Sequence, residues 1–136
     1  MARIKTIDRL RKMLQKFGFI TKDYKRNRIV VAEKNNYPRL FFKVSAEDTV
    51  EIMNMWQMNT YSKKHLNEVL EFINRLNENT ILSRFYLTKE AVLISEAFLL
   101  TLDNEPELKT ILEMINYDMN TLLKKDGTII KFLEQK

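Results

Sequence analysis

Apolar residues recur at helical spacing in the first segment. Ile4, Ile7, Leu10, Leu14 and Phe17 form one stripe, with Arg3, Arg9, Lys12 and Lys16 around it, the pattern of an amphipathic helix. Gly18 follows, and glycine reaches the left-handed conformation cheaply, so it predicts the helix C-cap. The period then shortens to two. FITKDY and RIVVAEK read as strands parted by the polar KRN, and RLFFKVS follows the turn-like KNNYP. Leu40, Phe42 and Val44 alternate with Phe41 and Lys43, as on a strand with one better-buried face. Pro38 stands at the strand start, where a missing donor does little harm. In TVEIMNMWQMN, Val50, Ile52 and Trp56 share one face, and Met53 and Met55 the other. The connections are too short for crossovers, which predicts four antiparallel strands.

A second helix is expected from about Ser62, an acceptable N-cap, with Leu66, Val69, Leu70, Ile73 and Leu76 as its stripe. LSRFYLT and AVLISEAFLL then read as a hairpin around Lys89-Glu90. The latter run is apolar on both faces, with Leu93, Ala97 and Leu99 on one and Val92, Ile94 and Phe98 on the other. Such a strand is covered twice or meets another chain. A third helix opens at NEPE, where Asn104 and Glu107 have capping-box spacing and Pro106 suits a first turn. Leu108, Ile111, Leu112, Ile115, Met119 and Leu122 make its stripe. It ends near Lys124-Lys125, before Gly127. The order α-β-β-β-β-α-β-β-α predicts an α+β fold, an antiparallel sheet with helices packed against it. Length fits a single domain over 1–136, with 129–136 a short C-terminal tail.

Charge adds a polarity to this plan. The net charge is +5, yet residues 1–64 carry 15 Lys and Arg against 6 Asp and Glu. A basic front half can meet nucleic acid, an acidic protein or a membrane surface, or be a solvated face. There is no cysteine, which excludes disulfides and thiolate chemistry and suits a reducing cytoplasm. The charged MARIKTIDRLRKML does not read as a signal peptide, and no apolar run is long enough to span a bilayer. A cytoplasmic location is the expectation.

Candidate chemistry is sparse. His65 is the one histidine, and no acidic cluster stands at ligand spacing, so no metal or other cofactor is expected. Gly18 and Gly127 stand apart, whereas phosphate-cradling loops need several converging N–H groups. Ser62, Ser83 and Ser95 have no base nearby in sequence. An enzyme is therefore not expected. Asn74 and Asn77, near the end of the second helix, can bond a free carbonyl of the last turn or the following strand. They read as pins of the helix-to-hairpin junction, with ligand binding as the other reading.

From Leu66 to Lys125 the chain resembles the YbjN family of bacterial proteins, which share the type III secretion chaperone-like fold. The resemblance rests on FINRLNEN, SRFYLTKEAVLISEAFLL with Arg84, Phe85 and Tyr86, the break DNEPE, and a closing helix. The front half agrees by topology. EIMNMWQMN is longer and richer in Met than the family pattern, and the tail after Gly127 is extra. The resemblance implies a regulator or chaperone-like binding module that pairs as a dimer and holds an extended segment.

Two patches are expected to carry function. Methionine is flexible and polarizable, so Met-rich surfaces adapt to partners. Met53, Met55, Trp56 and Met58 form the candidate contact patch for a protein partner or second subunit. They cannot all face one way on a strand. Lys22, Lys25, Arg26 and Arg28, with Tyr24 and Tyr37 available to stack on bases, form a basic patch for the alternative, nucleic-acid binding. No helix-turn-helix, zinc-finger or RNA-recognition signature accompanies it.

Overall fold

Helix α1 (Ala2–Lys16) buries Ile7, Leu10, Met13 and Leu14. Full burial of each such side chain stabilises the fold by roughly 1.5–3 kcal/mol. The predicted glycine stop is present. Gly18 has φ +93°, and the Phe19 N–H donates to the Leu14 carbonyl at 3.0 Å, the long bond of a Schellman cap. Lys34 Nζ donates to the freed Phe17 carbonyl at 2.7 Å. The computed structural model describes residues 2–24, 29–45, 49–80, 82–99, 105–119 and 132.

The strands are β1 (Ile20–Tyr24), β2 (Ile29–Glu33), β3 (Leu40–Val44), β4 (Val50–Gln57), β5 (Arg84–Leu87) and β6 (Val92–Leu99). They form one sheet in the order β1-β2-β3-β4-β6-β5, every pair antiparallel. The α+β plan and the strand succession agree with the sequence reading. The tight β2–β3 connection places Asn36 at φ +69°, a conformation asparagine tolerates. The β5–β6 hairpin is less well matched. Its Ala91 N–H donates to the Thr88 carbonyl at 3.1 Å with Ala91 at φ +60°, where glycine is usual.

The second helical segment differs from expectation in two ways. It starts earlier, because Asn59 and not Ser62 is the N-cap, accepting from the Ser62 N–H at 2.9 Å. It is also broken. The one-turn α2 (Thr60–Lys64) ends at His65, and α3 (Leu66–Asn79) follows. The buried stripe of α3 is Val69, Phe72, Ile73 and Leu76, itself a complete helical set at helix spacing. Leu66 and Leu70, expected inside, flank it in solvent. Helix α4 (Glu105–Asn116) buries Leu108, Leu112 and Ile115. The expected cap at Asn104, and Leu122, Lys124, Lys125 and Gly127, lie outside the described residues.

The helices and one face of the sheet share one core, which includes Leu10, Leu14, Phe42, Ile52, Phe72, Leu93 and Leu112. Phe132, from the C-terminal segment, joins it. Its ring lies 5.4 Å from that of Phe72, and its carbonyl accepts from the Asn59 N–H at 2.9 Å. Asp118 is fully buried and accepts from the N–H groups of Leu82 and Ser83 at 3.0 and 2.8 Å, tying the residues just after α4 to those just before β5.

Candidate functional site

Side chains alternate along a strand, so a sheet with its core on one face must present the other residues on the opposite face. On β4 the core side takes Val50, Ile52, Asn54 and Trp56, and the opposite side takes Glu51, Met53, Met55 and Gln57. The register carries this division across the sheet. Met53 lies between Phe41 and Glu96, and Met55 stands beside Ile94, which is paired in turn with Tyr86. Val31 pairs with Phe41, and Lys22 with Val31. None of these side chains is buried. Ile20, Tyr24 and Met55 on this face are 71%, 54% and 44% exposed. The face thus carries a run of apolar side chains among charged ones, and no described residue covers it.

Polar groups cross its middle. Lys43 is paired with Glu51 across β3 and β4. Glu51 also lies diagonal to Glu96 on β6. Partial burial and a hydrogen bond with Glu96 raise the Glu51 carboxyl above the usual carboxylate range, while Lys43 opposes the rise. Tyr86 Oη donates to Glu96 Oε2 at 3.1 Å. Desolvation and that bond raise the Tyr86 hydroxyl in turn. In the single chain, then, the two carboxyls crowd one another, with Lys43 paired beside Glu51 and Arg84 beside Glu96.

The expected contact patch divides by parity. Met53 and Met55 stand on the uncovered face. Trp56 does not: it points to the core side, half-buried, and stacks on Phe85 with centroids 6.2 Å apart. Met58 is 1% exposed and belongs to the core, so it offers no contact surface. Of the basic patch, Lys22 is exposed on β1, on the uncovered face. Lys25, Arg26 and Arg28 lie outside the described residues. Tyr37 packs edge-on against Phe19 at 5.2 Å. The remaining members of the face, Val31, Phe41, Tyr86 and Ile94, were not singled out as contacts. The doubly apolar AVLISEAFLL is a signal for Ile94 alone among them.

Asn77 does pin the junction. Its Nδ2 donates to the Phe85 carbonyl at 3.0 Å and its Oδ1 accepts from the Phe85 N–H at 2.8 Å. The side-chain amide thereby acts as a strand residue would and closes part of the β5 edge against further pairing. Asn74 is exposed on α3 and takes no part in this clamp. His65 sits at the α2–α3 break, with Nδ1 2.8 Å from the Tyr61 carbonyl and its ring stacked on Tyr61 at 3.9 Å. Ser62, Ser83 and Ser95 are buried. Among the described residues no group of three or more His, Cys, Asp or Glu lies together at a metal-binding distance. No helix among them is long and apolar enough to cross a membrane.

No family model matches the sequence, and no curated protein does. The fold has a solved counterpart. The crystal structure of YbjN from E. coli, described as a candidate transcription regulator, aligns with a TM-score of 0.74 over 95% of this chain and 96% of that one, at 9% identity. The chain has the fold of YbjN.

Proposed function

We propose that this chain is a non-catalytic protein-binding module, chaperone-like or regulatory in role, that makes its contacts through the uncovered face of its sheet. One observation carries the reading. Val31, Phe41, Met53, Met55, Ile94 and Tyr86 follow one another across a single face of the sheet, and none of those side chains is buried. Monomeric soluble proteins seldom expose a contiguous apolar patch of this kind without a contact to make. The two methionines at its centre can adjust to a partner's shape. The YbjN-like fold gives the architecture of this reading, the chaperone-like role comes from the sequence resemblance, and among the described residues no cluster of metal-ligating side chains recommends catalysis. The test compares capture from native lysate by the wild-type chain and by Met55→Asp. Partners lost with Met55→Asp support the reading. Identical capture by both overturns it.

Nucleic-acid binding is the second reading. The excess of basic residues before position 65 and the exposed Lys22 favour it, as does the regulator description of YbjN. It requires binding to DNA or RNA that falls steeply with salt, since each neutralised phosphate releases counterions. Charge reversal at Lys25 and Arg26 that leaves such binding unchanged would remove the basic patch from it.

A further inference from the structure

The centre of the sheet, in the order β1-β2-β3-β4-β6-β5, falls between β3 and β4. Along that line, on the uncovered face, Lys43 stands beside Glu51 and Phe41 beside Met53. A two-fold axis at this centre, lying between two stacked sheets and within about 15° of the strand direction, keeps each row near its height and exchanges left for right. Lys43 of one copy then faces Glu51 of the other, twice over. Phe41 faces Met53, also twice. The single chain already sets Lys43 beside Glu51 and Arg84 beside Glu96; this superposition adds the second copy's Lys43 directly opposite Glu51. An axis one strand over, between β4 and β6, would instead gather Glu51 and Glu96 of both copies and lose overlap at the edges.

We propose that the occupant of the uncovered face is a second copy of this chain, stacked sheet to sheet about a two-fold axis between β3 and β4, with Lys43 and Glu51 alternating around that axis. This deepens the protein-binding reading and rests on it. Stacked sheets cross at about 30°, so the pairing of rows holds at the axis and loosens toward the rim, where Lys22 and Arg84 stand. Six strands about 4.8 Å apart and about 17 Å long give a face of roughly 500 Å² in projection. A standard interface takes about 800 Å² from each partner, so the pair is a weak, reversible dimer.

The test is sedimentation of the full chain across a range of concentrations, with Lys43→Glu, Glu51→Lys, and the two variants mixed. Each variant alone sets like charges around the axis and is expected to remain monomeric at concentrations where the wild type pairs. Mixed, one variant brings only carboxylates and the other only lysines, and a one-to-one heterodimer is expected. A wild type that stays monomeric at high micromolar concentration overturns the proposal. So does a dimer that either variant leaves intact, or a mixture that stays monomeric. Lys43 is exposed and Glu51 half-buried, so both variants are expected to fold, as circular dichroism will show. If either does not, Met55→Asp takes its place, and a dimer that survives it overturns the proposal. Should the wild type prove monomeric, lysate capture compared between it and Met55→Asp still decides the protein-binding reading separately.

Discussion

Replacing Asn77 with alanine removes two hydrogen bonds at once and leaves both backbone groups of Phe85 without their partner. Each bond connects α3 to β5 across the helix-to-hairpin junction. A typical intramolecular hydrogen bond contributes about 1 kcal/mol net, and the junction is only partly buried, so water replaces some of the loss. The expected cost is therefore about 1–2 kcal/mol. Unfolding entropy of about 2.1 cal/mol/K per residue gives a chain of this length roughly 3.5 °C in Tm per kcal/mol, so Asn77→Ala should melt about 4–7 °C lower. Asn77→Asp sharpens the assay. Its carboxylate still accepts from the Phe85 N–H but sets an oxygen against the Phe85 carbonyl. A protonated carboxyl has an O–H to donate there, so the stability gap to wild type should narrow as pH falls through the usual carboxylate range. Thermal and urea melts of the three proteins across pH measure this. An Asn77→Ala protein within about 0.5 kcal/mol of wild type would refute the clamp, as would an Asp variant whose gap ignores pH.

Other consequences follow from the same geometry. Ala91→Gly should stabilise the chain by about 0.5–1 kcal/mol, because glycine occupies positive φ without the Cβ penalty; a lower Tm for the variant would contradict the hairpin geometry. Met58→Ala should cost about 2–5 kcal/mol, as large-to-small core changes do, whereas Met55→Ala should stay within about 0.5 kcal/mol; paired urea melts that rank them equally would contradict the parity of β4. The Glu51 carboxyl is raised in the folded chain, so its protonated form is favoured there. Wild type should gain stability relative to Glu51→Gln as pH falls from neutral toward the ordinary carboxylate value, and lose that gain as pH rises through the raised one; a difference between the two that does not vary with pH would contradict the crowding of Glu51 and Glu96.

Much of the fold was legible because local pattern and tertiary burial agree. The stripe of α1, its glycine stop and the alternation in β3 each follow from one period and one buried face. The helix after β4 departs from its sequence pattern where two local signals compete. Asn59 and Ser62 are both good N-caps, and the choice depends on Phe132, whose carbonyl holds the Asn59 N–H from a distant part of the chain. Leu66 and Leu70 complete a helical stripe in sequence, but the core takes the neighbouring stripe that includes Phe72. The candidate face was half legible. Parity alone separates Met53 and Met55 from Trp56 on β4. Bringing them together with Phe41, Ile94 and Tyr86 depends on strand order and register, and no local pattern places β6 between β4 and β5. Asn77 was legible as a pin from its place at the helix end, but its bidentate hold on Phe85 depends on β5 being an edge strand.

The most direct measurement is the methionine methyl NMR spectrum of the full chain as its concentration rises. The Met53 and Met55 resonances are expected to shift or broaden together, while those of the buried Met13, Met58 and Met119 hold their positions. Resonances of Met53 and Met55 that stay fixed while others move would contradict the claim that the uncovered sheet face makes the contact.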